Sequence, residues 1–497
     1  MRAKTYRLGI LFSTLLVLLI GNVVLADNGQ AQDTALAPLV ANGVPCTKVV
    51  NVGQSIQAAA STATGNAVVC VRAGVYSEQI KLKGKNAGIT LMSYPGETAI
   101  IDGRNQVPAV TAKNSTPPLI LIDGENITVD GFEVRNSAAR GVTVSKSNVT
   151  VRNMFIHDNK GIGILISSAT TANIRNVLIE NNVVHNNILK NVNGAAGGNA
   201  LTFIQSENST ARGNVISHNY GEGLVAGRYS RNITLEDNIS YDNRGANIYL
   251  INTINVTARR NFVFCTNDPI SWRGTGGIYR PGPGIQVRDE DFKKPSPPPS
   301  SGQVIVNNIV VGCGQNFGVA TQINGGGLNN ALVANNTFVN ARSASGEGAN
   351  NIEIEGRASL QNTRFSNNLI VQTVPGTIVR IQASSGQANL SSFTVSNNLY
   401  SKAPANGWPT SEAGRIVADP LLASLTMPVM NALPNPASYV LLPASPAVDR
   451  GMNVAQVPDD FFGIARNGAL DIGADELGGS TSFGNSTAIL ALLGQGQ

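Results

Sequence analysis

Short runs in which apolar and polar residues alternate, each about five residues long, fill the chain from Val68 to Tyr400. Asparagine and glycine punctuate them. The stretch NVISHNYGEGLVAGRYSRNITLEDNISYDNRGANIYL, Asn214 to Leu250, states the pattern nearly twice. Aligned on asparagine followed by an apolar residue, the pattern recurs at Asn153-Met154, Asn182-Val183, Asn214-Val215, Asn238-Ile239, Asn261-Phe262, Asn308-Ile309, Asn368-Leu369 and Asn398-Leu399, with Asn336-Thr337 as a polar exception. The shortest steps are 24 and 23 residues. Three short strands fill one step and leave little room for a helix. A unit of this length cannot bury its own apolar face and must stack on its neighbours. The expected fold is therefore all-β, a parallel β-helix solenoid. Leucine-rich repeats share the period but not the leucine spacing, and propeller blades need about twice the length.

Asparagine at the repeat has two uses. It tolerates the left-handed backbone of a sharp bend, and its amide can donate and accept along a stack of coils spaced by about 4.8 Å. Asn126, Asn148, Asn232 and Asn255 also stand in Asn-x-Thr patterns. These read either as glycosylation acceptors or as a by-product of the repeat, and the second reading is preferred.

Outside the repeat the chain divides into an expected signal peptide (1–26), a linker (27–44), the β-helix (45–403) with an inserted loop at 266–302, a C-terminal region (404–478) and a flexible tail (479–497). The leader has a basic start, an apolar run from Leu8 to Leu25 and small Ala26, with an uncleaved anchor as the alternative. Its removal takes away Arg2, Lys4 and Arg7 and no acid, so the formal net charge falls from +5 to +2. Neither that charge nor any Lys/Arg cluster suggests nucleic acid, and no later stretch is apolar enough to span a membrane. The mature chain is expected to be secreted or on the cell surface, and monomeric. Four cysteines in such a chain suggest two disulfides. Registering the coils at Asn261 and Asn308 brings Cys265 beside Cys313, which leaves Cys46 for Cys70. In Ser55 to Gly65, Ile56, Ala59 and Ala60 share one face of a short helix with Ser55 as N-cap, the expected N-terminal cap of the stack.

Ala73-Gly74-Val75-Tyr76-Ser77-Glu78, followed by Ile89-Thr90-Leu91, Tyr94-Pro95-Gly96-Glu97 and Ile101-Asp102-Gly103, resembles the opening coils of the pectate-lyase-like superfamily of right-handed parallel β-helix proteins. Polysaccharide lyases related to chondroitinase B and the family 9 pectate lyases are the most similar. Ser445 to Gly451 and Asp459 to Glu476 are similar to a choice-of-anchor segment that follows β-helices in secreted bacterial surface proteins, and would close the C-terminal end of the stack. The resemblance implies an extracellular polysaccharide as partner and β-elimination on a uronic-acid polymer, with Ca²⁺ as a cofactor. The competing function is a non-catalytic surface or adhesion protein that binds polysaccharide. The sharper signatures do not carry over. Asp130-Gly131-Phe132 continues with Glu133 rather than alanine, and the Asn-Thr-Asp, Gly-His-Gly and Asp-Pro-His motifs are absent.

Glu222 replaces a small or apolar residue between two glycines, beside His218 and Tyr220 and facing Asp242 and Arg244 of the following coil. The catalytic candidates are Glu222, His218, Arg244, Lys160, Arg228 and Tyr241. The insertion carries Trp272, Arg273, Tyr279 and Arg280, which with Tyr220 are candidates for substrate binding. Glu207, Asp237 and Asp242 are the candidate metal ligands. His157, His185 and His218 fall on one line of the repeat with Tyr241 and Phe264, which favours a stack of flat rings over a row of metal ligands.

Overall fold

The computed structural model describes residues 45–478, apart from 112–115, 169–172, 193–196, 276, 293–296, 383–385 and 405–406. The expected leader, the linker and the tail lie outside the described residues. Each coil gives one strand to each of three parallel sheets. Sheet A runs from Lys48–Val50 to Thr394–Ser396, sheet B from Gly74–Tyr76 to Ile416–Val417, and sheet C from Ile80–Lys83 to Thr377–Ile381. One coil reads Arg231–Glu236 in sheet A, Ile239–Tyr241 in B and Ile248–Ile251 in C. Alternation sends Leu235 and Ile248 into a continuous apolar interior. The helix Ile56–Ser61 forms with the Ser55 side chain accepting from the Ala58 N–H, and it buries Ile56, Ala59 and Ala60.

The corner between sheets A and B holds the asparagine ladder. Amide nitrogens of Asn182, Asn214, Asn238, Asn261, Asn308, Asn336 and Asn368 each donate to Oδ1 of the next member at 2.9–3.1 Å, ending at Asn398. Asn153 is not a member, which corrects the alignment by one residue. The Met154 N–H donates to Asn182 Oδ1, so Met154 occupies the column. The left-handed bend belongs to the preceding residue, at Asn153 (φ 54), Asn181 (φ 55), Asp237 (φ 56) and Asn307 (φ 54). Conformational tolerance and amide pairing are thus assigned to consecutive residues. A second buried ladder, Asn159, Asn187, Asn219, Asn243 and Asn247, lines the corner between sheets B and C. The Cys265–Cys313 disulfide takes over where that ladder stops, 3.2 Å from the Asn247 amide at Cys265 Sγ. Cys46 is bonded to Cys70.

Two boundaries differ from expectation. The insertion is not one loop, because Ile285–Asp289 is a regular strand of sheet C, with Ile285 and Val287 pointing inward. Its alternation is short and flanked by proline and glycine, which hid it. Nor does the array stop at 403, since Ile416–Val417 adds a strand to sheet B. The C-terminal region only partly closes the end. Trp408 packs edge-on against Phe365 and Phe393, but the rest returns along the outside of sheet B. There Leu422, Tyr439, Leu441, Phe461 and Ile472 bury the outward residues Phe262, Ile309, Leu369 and Leu399. That outer face is apolar, and water contact along it is removed by this return.

Candidate functional site

The outward residues of sheet C form two columns. In one, Tyr249, Gln286, Gly318, Glu353 and Arg380 lie in register across successive strands. Arg288, Ala320, Glu355 and Gln382 line the other. Gly318 and Ala320 keep the floor low. The antiparallel hairpin Trp272–Thr275 and Ile278–Pro281 stands beside this face, with Arg273 opposite Arg280. Hairpin and sheet enclose a groove of about 480 Å³ lined by Arg273, Arg280, Arg288, Arg380, Glu353 and Glu355, among others.

Glu353 anchors the hairpin to the floor. Its Oε2 takes Arg280 Nη1 at 3.2 Å and the Asn350 amide at 2.9 Å, and the Gln315 and Gln382 amides complete the shell. Burial alone would raise its pKa, but Arg280 and the three amides hold the carboxyl below the usual range. Arg280 also donates to Gly348 O. Sequence reasoning missed Glu353, Arg288 and Arg380. The signal was present in NIEIEG, where Ile352 and Ile354 face in and Glu353 and Glu355 face out.

Glu222 begins a sheet C strand one residue opposite Asn199, whose amide nitrogen can stand 3.1 Å from its Oε2. Burial pushes its carboxyl up, against the pull of Arg273 and Arg288. Arg273 in turn feels Glu222 as an opposite charge and Arg280 and Arg244 as like charges. Of the expected residues, Arg273 and Arg280 stand together on the hairpin, and Arg273 is the one whose charge acts on Glu222. Arg244 is fixed by Asn191 O at 3.1 Å and does not pair with Glu222.

The other candidates are dispersed. Asp242 does not face Glu222; it sits at the corner of sheets B and C, where both oxygens accept from Thr266, at 2.7 Å from the N–H and 2.6 Å from the hydroxyl. His218 lies there too, 3.2 Å from Asp268. Tyr241 is buried against Phe264 with ring centroids 4.5 Å apart, and burial pushes its phenol up to about 12. Lys160 reaches Asn105 O at 3.3 Å on the same corner, and the Tyr220 N–H donates to Asn187 O. Arg228 lies over the Phe292 ring at the corner between sheets C and A. Trp272 is not a free sugar platform, for its indole donates to Thr266 O at 3.0 Å and its ring centroid is 5.5 Å from that of Tyr279, which is exposed. The ring column also shifts. His157, His185, Tyr241 and Phe264 share register with Ser217, while His218 is one residue beyond, in the left-handed turn (φ 55).

The three expected Ca²⁺ ligands do not come together in one shell. Glu207 pairs with Arg175 on sheet A, and Asp237 is held bidentately by Arg260 at the corner of A and B. Asp242 is on a third element. Calcium takes six to eight oxygens from one shell, and guanidiniums already occupy two of these three carboxylates.

Residues 118–279 match the family described as the right handed beta helix region. No curated protein matches the sequence. Among solved structures, pectate lyase Pel9A is similar with a TM-score of 0.50 at 15% identity, over 87% of this chain and 97% of that one. XylC in complex with xylose gives 0.50 at 10% identity, over 85% and 95%. The Streptococcus pneumoniae surface protein and adhesin PfbA gives 0.43 at 14% identity, over 72% and 94%. The protein is a right-handed parallel β-helix and shares that fold with the pectate lyase. At these identities the likeness extends to the fold alone.

Proposed function

We propose that the protein is an exported, carbohydrate-active β-helix that takes a uronic-acid polymer along the outer face of sheet C. One observation carries this reading: Arg273, Arg280, Arg288 and Arg380 line a single trough. Guanidiniums are suited to carboxylates in geometry and in weak hydration, and here two stand on the hairpin and two on sheet C strands at either end of the trough. A fold shared with a pectate lyase supplies the long outer face that such a polymer needs, and two disulfides support an oxidising compartment. Among the described residues no helix is long and apolar enough to cross a membrane.

β-Elimination fits the charge pattern. Arg273 and Arg280 neutralise the carboxylate next to C5, and Glu222, whose raised pKa makes it a stronger base, accepts the C5 proton. The C5–H electrons form the C4=C5 double bond as the C4–O bond breaks, and the leaving oxygen takes a proton from solvent. The test is incubation with polygalacturonate, alginate and chondroitin, following the absorbance of the unsaturated uronate and, in parallel, binding. Cleavage that Glu222→Gln abolishes supports elimination. Binding without cleavage favours the non-catalytic surface protein. Binding and cleavage both unchanged in Arg280→Ala remove the groove from either role.

A further inference from the structure

A second cavity, of about 630 Å³, opens at the corner between sheets C and A and shares no lining residue with the groove. Gln205, Arg228, Arg231, Asn252 and Phe292 line it, and none of its lining residues is acidic. The turns that build it are stacked left-handed positions, Gln205 (φ 51), Tyr229 (φ 63) and Asn252 (φ 49), which lie one above another as the coils repeat. Arg228 rests over the Phe292 ring at 4.1 Å, which holds its guanidinium at the cavity wall. Arg231 reaches only 3.9 Å toward Glu207 and keeps capacity to donate.

Asn252 is the decisive residue. It is fully buried, and its Oδ1 accepts from the Glu290 N–H at 2.9 Å. Its Nδ2, also buried, has no hydrogen-bond partner. A buried amide donor left unpaired costs about 1–3 kcal/mol, and such groups call for an occupant. The cavity therefore presents donors, two guanidiniums and an orphan amide, with no acidic residue in its own lining; the neighbouring Glu207 carboxylate stands 3.9 Å from Arg231 and leaves Arg228 and Asn252 Nδ2 to an occupant. We propose that this corner is a second binding site, for an oxyanion-bearing sugar unit, with Asn252 Nδ2 and Arg228 donating to its carboxylate or sulfate oxygens. Its volume lies within the range of small-molecule sites. The site goes beyond the groove and does not depend on cleavage there.

The test is calorimetric titration of the full chain with trigalacturonate, with a sulfated galactan trisaccharide and with neutral maltotriose. Asn252→Asp keeps the Oδ1 acceptor and the left-handed turn but replaces the orphan donor with an anion. Arg228→Gln removes the second donor at a less buried position. Each is expected to weaken the corner phase about tenfold or more, while Arg280→Ala weakens only the groove phase. Whichever of the two acidic trisaccharides binds identifies the oxyanion. Unchanged corner affinity in both Asn252→Asp and Arg228→Gln overturns the proposal, as does maltotriose binding equally well or no saccharide binding when Arg280 is removed. Loss of the groove phase alone leaves the corner site standing and counts against the proposed function instead.

Discussion

At the scale of single residues, an asparagine's worth depends on whether water can replace its neighbours. Asn238 is fully buried and its amide donates to Ala211 O and Asn261 Oδ1 at 3.0 Å each. Asn238→Asp sets a carboxylate against two acceptors, and a loss of about 3 kcal/mol in urea unfolding is expected. Asn255 belongs to an exposed column, 3.3 Å from Asn232, and Asn255→Asp should stay within about 0.5 kcal/mol. Equal effects at both positions would refute the ladder as the register device. The ladder was legible in the sequence because its period is regular, but its starting residue was not. Asn153 and Asn182 look alike in sequence, and only the backbone separates the bend from the amide column. A second residue-scale consequence concerns His185, whose pKa burial lowers to about 4 with further repulsion from His218 and His157. Its folded pKa is depressed, so between about 6.5 and 4 the unfolded chain binds the proton and stability falls as pH falls. From pH 7 to 5 this amounts to about 2 kcal/mol. His185→Phe continues the ring column without titrating and should abolish that part of the pH dependence, measured by denaturant midpoints at the two pH values.

At the scale of elements, the hairpin over sheet C is tied down twice. Glu353 holds Arg280 from below, and the Cys265–Cys313 disulfide, with a sequence separation of 48, closes the segment that contains the hairpin. Cross-linking a loop of this length restricts the unfolded chain by about 4 kcal/mol in the chain-entropy account. Replacing both cysteines with serine should lower stability by that order and also weaken polyuronate binding, because the arginines are then presented by a looser element. Lost stability with unaltered affinity would show that Glu353 alone positions the hairpin. The pairing was readable from the register of two asparagines. The groove floor was overlooked for a different reason: a strand buried on one face shows its function only on the other. In NIEIEG and GIQVRDED the outward acids and bases alternate with core residues and look like ordinary solvated positions until three strands bring them side by side.

At the scale of the molecule, two of the three faces have opposite fates. Sheet B is covered from outside by the returning C-terminal region, while sheet C keeps an open, polar outer face with a hairpin at its edge. That contrast is the reason the proposed groove is placed on sheet C. The return is fastened by Arg466, nearly fully buried, which donates to Gly473 O at 2.8 Å, to Asn307 Oδ1 at 3.2 Å and to Glu476 Oε2 at 2.6 Å. Across the seam, Arg260 of the coil reaches Asp459, and Asn307 donates to Asp459 O at 2.6 Å. Sequence resemblance placed this segment at the end of the stack because its motif follows β-helices; where it packs is decided instead by the apolar column Phe262, Ile309, Leu369 and Leu399 on the outside of sheet B. Arg466→Ala leaves Glu476 and several carbonyls without their buried partner, at a cost of about 3–5 kcal/mol. The return should then detach before the coils unfold, since the coils keep their own ladders. Limited proteolysis under native conditions is expected to cut Arg466→Ala within the C-terminal region and leave a resistant β-helix that binds a hydrophobic dye along the uncovered face. Cleavage spread evenly along the chain, or a variant as resistant as the parent, would mean that the return and the coils form one cooperative unit and that the seam does not fail first.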